Sequence, residues 1–205
     1  CSSDLQMAYP TVSSPYGLQA VNRIDGLPYA GQIRQIPIAT NYATAIFYGD
    51  TVKISNGYLV ADTGTDNATP CGVLVGCAYT NSSNQPVEGQ FYPAAAATSS
   101  NAALGYVIDD PMAAFKVAVV SSGTTVTTSG VSRAVVGSNM ALVQNTGSTT
   151  TGDSKVAVLS GSDATTNTLP VRVIDVVPGT ALGADAFVEL IVKINTHQYN
   201  STTGV

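Results

Sequence analysis

Beyond about residue 46, this 205-residue chain consists mostly of short apolar runs separated by clusters of Gly, Ser, Thr and Asn. The clearest unit is TVKISNGYLVA (51–61), in which Asn56-Gly57 divides two runs rich in strand-forming residues. Asn-Gly in this position is the strongest short-range signal for a β-hairpin, because a type I′ turn needs positive φ at both central residues. The pattern therefore predicts a hairpin at 51–61.

Seven further apolar runs predict strands, and the last of them has two distinct faces. Alternate residues of a strand point to the same side. The apolar face of the last run consists of Val188, Leu190, Val192 and Ile194, and its polar face of Glu189, Lys193 and Asn195. The runs are GVLVGCAY (72–79), GYVID (105–109), AFKVAVV (114–120), MALVQ (140–144), KVAVLS (155–160), PVRVIDVV (170–177) and AFVELIVKIN (186–195).

The first 45 residues differ from the rest, because prolines interrupt them and no regular period is sustained. Proline fixes φ and removes a backbone donor, so we expect 1–45 to form an extended N-terminal arm with short strand pieces. Helix signals are scarce, with at most a turn or two at 94–104. We predict an all-β chain. Residues 46–205 would form a single β-sandwich or barrel-like domain, of jelly-roll or β-tulip type, with a polar C-terminal tail.

Composition and charge narrow the classes of function. Charged residues are 10% of the chain, well below the usual share of about a quarter, whereas the hydrophobic share of 44% is near average. The net charge is −5 and the eight Lys and Arg residues are scattered, so direct binding to nucleic acid is disfavoured. No run of about 18 apolar residues and no signal-peptide pattern is present, so we expect a soluble protein without a membrane partner.

The chain begins Cys1-Ser2-Ser3, as a lipid-modified bacterial surface protein does after processing. Removal of an initiator Met before a small residue would explain the same start. We favour the second explanation, because the signal segment that the first one requires is absent.

Side chains for acid–base or nucleophilic catalysis are few. The one histidine, His197, lies in the polar tail NTHQYNSTTGV, where we expect it to be solvated. Asp109 and Asp110 would point to opposite faces of a strand, so we expect them to end a strand before Pro111 rather than to form a catalytic pair. We therefore predict no enzymatic activity, no metal and no cofactor.

The most serious enzymatic candidate is LVADTGTDN (59–67), because retroviral-type aspartic proteases present their carboxylate in Asp-Thr-Gly after two apolar residues. Such an enzyme would use Asp62 from each of two subunits, sharing one proton, with AVVGSN (134–139) as a loose second motif. We favour an ordinary turn, since Asp, Thr and Gly are common at the end of a hairpin strand. The stretch also lacks the Gly and Glu that complete an EF-hand calcium loop.

Cys71 and Cys77 lie in one apolar run, six residues apart. On one regular strand they would share a face but lie about 20 Å apart, too far for a disulfide. The spacing is not CxxC, and no nearby histidine completes a zinc site. We expect two buried free thiols in a core strand.

The order and spacing of four segments resemble the head decoration, or capsid cement, proteins of tailed bacteriophages. The resemblance covers about 16–117, with a looser continuation through the C-terminal strands. No single motif in it is chemically diagnostic. The segments are YGLQAVNRIDGLPYAGQIRQIPIATNYATAIFYGDTVKI (16–54), TPCGVLVGCAYTN (69–81), QFYPAAAA (90–97) and GYVIDDPMAAFKV (105–117).

This resemblance implies a non-enzymatic, β-rich virion protein, often a trimer, that binds the major capsid protein outside the mature capsid, where capsomers meet. It implies synthesis in the cytoplasm of the host bacterium and an N-terminal arm that becomes ordered on the capsid surface. A second class, a β-sandwich that binds a glycan or host receptor, is less favoured because Trp is absent and sugar sites usually stack on exposed aromatic rings.

We expect capsid contacts from apolar and aromatic side chains of the arm, which need burial against another surface. Two arginines could pair with capsid carboxylates. The alternative is that the arm wraps its own domain or a sister subunit. The expected contact residues are Tyr9, Tyr16, Arg23, Tyr29, Ile33, Arg34, Ile36 and Tyr42.

Overall fold

The computed structural model describes residues 12–97, 103–126, 131–177, 180 and 188–204. These residues form β-strands and two 3₁₀-helices, Arg133–Val135 and Gln198–Asn200, and none of them lies in an α-helix. The all-β prediction is therefore confirmed. The strands are β1 (Gln19–Arg23), β2 (Arg34–Ile38), β3 (Thr51–Ser55), β4 (Tyr58–Ala61), β5 (Gly72–Thr80), β6 (Pro86–Gly89), β7 (Ala103–Ile108), β8 (Ala113–Ser122), β9 (Thr125–Val126), β10 (Asn139–Met140), β11 (Leu142–Val143), β12 (Ala157–Leu159), β13 (Val171–Val176) and β14 (Glu189–Ile194).

Five strands close into a ring, which we call the N-terminal barrel. They follow the order β3-β4-β2-β7-β5, and β5 returns to β3 through the pair Thr51↔Val73. β6 pairs with the other end of β5. Apolar side chains fill the interior, as in other small barrels. The main members of this core are Ile36, Ile38, Ile46, Val52, Leu59, Cys71, Leu74, Cys77, Tyr92 and Val107.

β3 and β4 form the hairpin that the sequence predicts at 51–61. Asn56 and Gly57 have φ of 50° and 82°, the positive values of a type I′ turn. The two strands pair from Ser55↔Tyr58 onward. Each of the seven further apolar runs also contains a strand, whereas β6 and β9 lie outside the predicted runs.

The other strands build a second, nearly closed ring, which we call the C-terminal barrel. Its order is β10-β13-β14-β8-β12-β11, and only Ala141 separates β10 from β11, so the two ends of the order meet. β1 and β9 also pair with β8. The core of this ring includes the predicted apolar face of the last run, Val188, Leu190, Val192 and Ile194.

Glu189, predicted on the polar face of that run, is only 5% exposed. The Tyr16 hydroxyl donates to its carboxylate, and Lys116 Nζ lies 3.5 Å from the same oxygen. Burial raises the pKa of Tyr16, and the hydrogen bond to Glu189 acts in the same direction. The buried charge is thus paired, as buried charges need to be, and it fastens residue 16 to the C-terminal barrel.

Residues 16–18 lie where the two barrels meet. Gly17 N donates to Val156 O at 3.1 Å. Gly17 has φ +81°, and a Cβ there would lie 2.6 Å from Ser154 Cβ and 2.7 Å from Gly49 O. Glycine tolerates both the positive φ and the close approach, so three chain segments can meet at this point.

The segment predicted as an extended arm, 1–45, supplies β1 and β2. β1 pairs with β8 in the C-terminal barrel, and β2 pairs with β4 and β7 in the N-terminal barrel. From residue 16 onward the segment is therefore part of the domain rather than separate from it. Residues 1–11 lie outside the described residues.

Candidate partner-binding surface

The segment 24–33 connects β1 to β2 and so joins the two barrels. Its first turn is fixed locally, because Arg23 N donates to Leu27 O at 3.1 Å and Leu27 N donates to the Asp25 carboxylate at 3.2 Å. The second of these bonds is the Asx turn that Asp commonly forms with the residue two positions on. Gly26 takes φ +85° between them. The sequence IDGL thereby builds a tight turn with Leu27 at its end.

Leu27 and Ile33 are the two most exposed large apolar side chains among the described residues, at 58% and 51%. Met112, which is 37% exposed, lies on the neighbouring turn between β7 and β8, and its carbonyl accepts from Ile24 N at 2.9 Å. Single exposed apolar residues are ordinary, whereas grouped ones mark interaction sites. Leu27 and Ile33 lie on the 24–33 connection, which ion pairs of the flanking Arg23 and Arg34 hold against the connection that carries Met112; we call these three residues the apolar patch.

The two arginines beside the apolar patch are already paired within the chain. Arg23 contacts Asp25 at 2.9 Å and Asp110 at 2.8 Å, and Arg34 contacts Asp109 at 3.1 Å. The hydrogen bond between Arg23 and Asp25 raises the pKa of the arginine and lowers that of the carboxyl. A partner's carboxylates would have to displace these internal ones, so the expected role of both arginines in capsid contact is not favoured.

Three of the predicted contact residues face their own domain. Ile36 is 4% exposed in the core of the N-terminal barrel. The Tyr42 hydroxyl accepts from Ala61 N at 2.9 Å, and Tyr16 is held by Glu189. Tyr16, Ile36 and Tyr42 therefore agree with the alternative expectation, in which the N-terminal segment packs on its own domain.

The remaining predicted contact residues differ in their exposure. Tyr29 is half-buried against the core of the C-terminal barrel, and its hydroxyl donates to Gln32 O at 2.7 Å. Ile33 is exposed, as a contact residue must be, and Tyr9 lies outside the described residues. Sequence reasoning missed Leu27, although its position after Asp-Gly and before Pro28 was a sign of an exposed turn.

Asp62 caps a turn. Its carboxylate accepts from Thr69 N at 2.8 Å and from Gly64 N at 3.2 Å, and Lys53 Nζ lies 3.3 Å away. Asp62 is only 2% exposed, so its carboxylate has little access to solvent and its contacts are with these three groups of the protein. The contacts support the turn interpretation over the protease interpretation. Among the described residues, no three His, Cys, Asp or Glu side chains group as a metal site would require.

Cys71 and Cys77 are free and buried, as predicted. Both lie in the core of the N-terminal barrel. Burial raises the pKa of Cys71 to about 12 and that of Cys77 to about 11. Since the thiolate is the reactive form of cysteine, these raised pKa values disfavour reaction of either thiol at neutral pH.

The prediction that His197 is a solvated tail residue is wrong, because this residue is 1% exposed. Its Nδ1 accepts from Tyr199 N at 3.1 Å. The Tyr199 hydroxyl donates to Asp109 at 3.1 Å, and the Arg34 guanidinium lies 5.4 Å from the Tyr199 ring centroid. The C-terminal residues therefore contact the ion pair that lies beside the apolar patch.

A cleft of about 520 Å³ lies beside His197. Apart from the histidine, its lining carries only amide and hydroxyl side chains and no charge. Such groups offer hydrogen bonds to an uncharged ligand rich in hydroxyls. They include Asn67, Thr69, Asn167, Thr168, Asn195 and Asn200.

No protein-family model matches the chain, and comparison with curated proteins and with solved structures found no similar protein. The resemblance to capsid decoration proteins therefore stays a prediction. In the part of the chain that the structure describes, no helix is both long and apolar enough to cross a membrane.

Proposed function

We propose that this chain is a non-enzymatic virion protein that binds the outside of a mature phage capsid and stabilises it, with the apolar patch at the contact. The observation that carries the proposal is the exposure of Leu27 and Ile33 on a short, well-fixed connection. Both residues lie within 16–54, the longest of the segments that resemble capsid decoration proteins. Apolar side chains at the centre of an interface supply much of its binding energy.

Stabilisation would follow from preferential binding. A protein that binds the intact lattice but not its disrupted form stabilises the lattice by RT ln(1 + [L]/Kd), about 2.7 kcal/mol per site at a hundredfold excess over Kd. A homotrimer that bridges capsomers would hold more firmly than one chain, because release of one contact leaves the others bound. Individually weak contacts could then resist the pressure of packaged DNA together.

The charges beside the patch indicate what kind of capsid surface it fits. Arg23 and Arg34 are neutralised by carboxylates of their own chain, so little charge is left to attract an oppositely charged partner. The complementary surface would be an apolar, uncharged depression on the major capsid protein. Binding that depends on apolar burial rather than on ion pairs changes little with salt.

The test is co-sedimentation of the full-length chain with mature capsid shells that lack it. The double variant Leu27→Ser/Ile33→Ser removes the two exposed side chains of the patch. Tyr58→Ser/Ile174→Ser is the matched control, because these residues are also exposed, at 47% and 36%, but lie on β4 and β13.

We expect the patch variant to lose about 3 kcal/mol or more of binding free energy, over a hundredfold in Kd, given about 1.5–3 kcal/mol for each large apolar side chain that is buried. The control should bind like the unaltered chain, and raising the salt from about 0.05 to about 0.5 M should have little effect. Equal binding by the patch variant, or equal loss in the control, would refute the assignment of the patch.

A second candidate function is recognition of a neutral glycan, which the uncharged lining of the cleft beside His197 favours. Amide and hydroxyl groups bind sugar hydroxyls well. Binding of the isolated protein to a glycan array, abolished by Asn67→Ala/Asn167→Ala, would support this candidate. Absence of glycan binding together with loss of capsid heat resistance when the protein is left out would favour the capsid role.

A further inference from the structure

The residues that follow β14 pass from the C-terminal barrel, where Asn195 N donates to Pro170 O at 2.8 Å, to the N-terminal barrel. Thr196 Oγ1 donates to Ala68 O at 2.6 Å, and Gln198 N donates to Pro70 O at 3.0 Å. The Gln198 amide accepts from Ile54 N at 2.8 Å and donates to Ile54 O at 3.1 Å. We call residues 195–201 the C-terminal strap.

His197 lies inside the C-terminal strap with its ring 1% exposed. Because Nδ1 accepts the Tyr199 N–H at 3.1 Å, Nδ1 carries no proton, and the ring is the neutral tautomer with its hydrogen on Nε2. Nε2 is buried and has no hydrogen-bond partner among the described residues. Of the groups that face the imidazole, the Cys71 main chain is the hydrogen-bonding group that favours a protonated ring, whereas Nδ1 faces the Tyr199 N–H and has no acceptor for a hydrogen of its own.

Protonation would change this arrangement at one atom. A hydrogen on Nδ1 would face the Tyr199 N–H, so the bond that begins the 3₁₀-helix Gln198–Asn200 would be lost. The ring would also carry a buried positive charge with the N–H on Nδ1 unsatisfied, which is costly unless the charge reaches water. Residues of the strap themselves line the cleft beside His197, so lifting the strap from the N-terminal barrel would bring the charge to water.

The charged groups around the ring are already engaged. Asp109 accepts from Arg34 and from the Tyr199 hydroxyl, and Asp110 pairs with Arg23. Burial lowers the pKa of His197 below its usual 6.5, while Asp109, Asp110 and the Cys71 main chain act in the opposite direction. The thiol of Cys71 stays neutral, because its own pKa is raised to about 12.

We propose that the C-terminal strap is an acid-released latch, in which protonation of His197 frees residues 195–201 from the N-terminal barrel. The closed form is fully favoured above the unperturbed pKa of 6.5. Because the folded ring resists protonation, closure weakens as the pH falls below that value, by up to about tenfold for each pH unit. Release would expose the main chain of Ile54 and Pro70, to which Gln198 bonds.

The test uses the full-length protein and the fact that the chain has a single histidine. Long-range ¹H–¹⁵N NMR of that ring reports its tautomer and its titration, and amide hydrogen exchange, corrected for the intrinsic effect of pH, reports opening of the strap. We expect the Nε2–H tautomer at about pH 7.5, a titration below 6.5, and loss of protection in 198–201 at about pH 5. Protection of β8 and β14 should persist.

His197→Asn is the matched variant, since the Asn side-chain oxygen can replace Nδ1 as acceptor for Tyr199 N but does not titrate. Its strap should stay protected at about pH 5. An Nδ1–H tautomer, unchanged protection of the unaltered strap in acid, or equal opening of His197→Asn would overturn the proposal. If the variant does not fold, the tautomer and the exchange of the unaltered chain still decide.

Discussion

Replacing Gly17 with Ala should destabilise the protein by about 2–5 kcal/mol. A residue with a Cβ at φ +81° costs roughly 1–2 kcal/mol. The new Cβ would also lie 2.6 Å from Ser154 Cβ and 2.7 Å from Gly49 O, and such overpacking typically costs about 1–3 kcal/mol. The two costs add because one belongs to the backbone of residue 17 and the other to its neighbours.

Gly26→Ala separates the two costs. Gly26 has φ +85°, nearly the same as Gly17, but a Cβ there would meet nothing within 4 Å. This control should therefore lose only about 1–2 kcal/mol. Urea unfolding of the unaltered chain and both variants gives the free energies, provided that the slope with denaturant stays constant.

The difference between the two variants measures how tightly residue 17 is held between the barrels. We expect it to be about 1–3 kcal/mol. If the two variants are equally stable to within about 0.5 kcal/mol, the extra crowding at Gly17 is absent in solution. Residues 16–18 would then not be fixed at the junction, and the separate arm that the sequence suggested would be the better description.

Two further predictions concern Asp62 and the cysteines Cys71 and Cys77, which the sequence analysis considered as candidate catalytic, metal-binding or disulfide-forming residues. Asp62→Asn should lower the free energy of unfolding by about 1.5–3 kcal/mol, because it weakens charge-assisted bonds from Thr69 N and Gly64 N. Urea unfolding measures this loss, with Asp66→Asn, at an exposed position, as the control. Unchanged stability of Asp62→Asn would contradict its role in the turn. In a Cys1→Ser background, Cys71 and Cys77 should react with a thiol reagent only as fast as the chain unfolds, since burial keeps both protonated. Rapid labelling of the native protein would contradict that account.

Local sequence patterns predicted most strands from residue 51 onward, but not β6 or β9, and for β1 and β2 they gave only short strand pieces without bounds. Pro37 lies within β2, and a proline usually argues against a paired strand because it lacks the N–H. Pro37 is nevertheless paired, opposite Leu104 of β7, whereas β2 meets β4 only through the pair Ile38↔Leu59. Whether a proline can be accommodated depends on the neighbouring strand, which the local sequence does not specify.

The closure of the rings and the burial of His197 were also beyond local reasoning. β5 pairs with β3, and no short turn sequence between these two strands predicts that pairing. His197 lies in a polar stretch whose composition predicts exposure, yet bonds to Ile54 and Pro70 hold that stretch in place. The apolar patch was half predicted, since Ile33 was named and Leu27 was not. Contacts between residues distant in sequence decided each of these features.

The position of the N-terminal segment has a consequence for folding. β1 pairs with β8, and Gly17 N donates to Val156 O, so some bonds of the early residues form only with residues that are synthesised much later. Pairing over such sequence distances is slow, because the intervening chain must be ordered before the contact forms. We therefore expect the two barrels to reach their native state as one cooperative unit after synthesis, rather than in succession as the chain emerges from the ribosome.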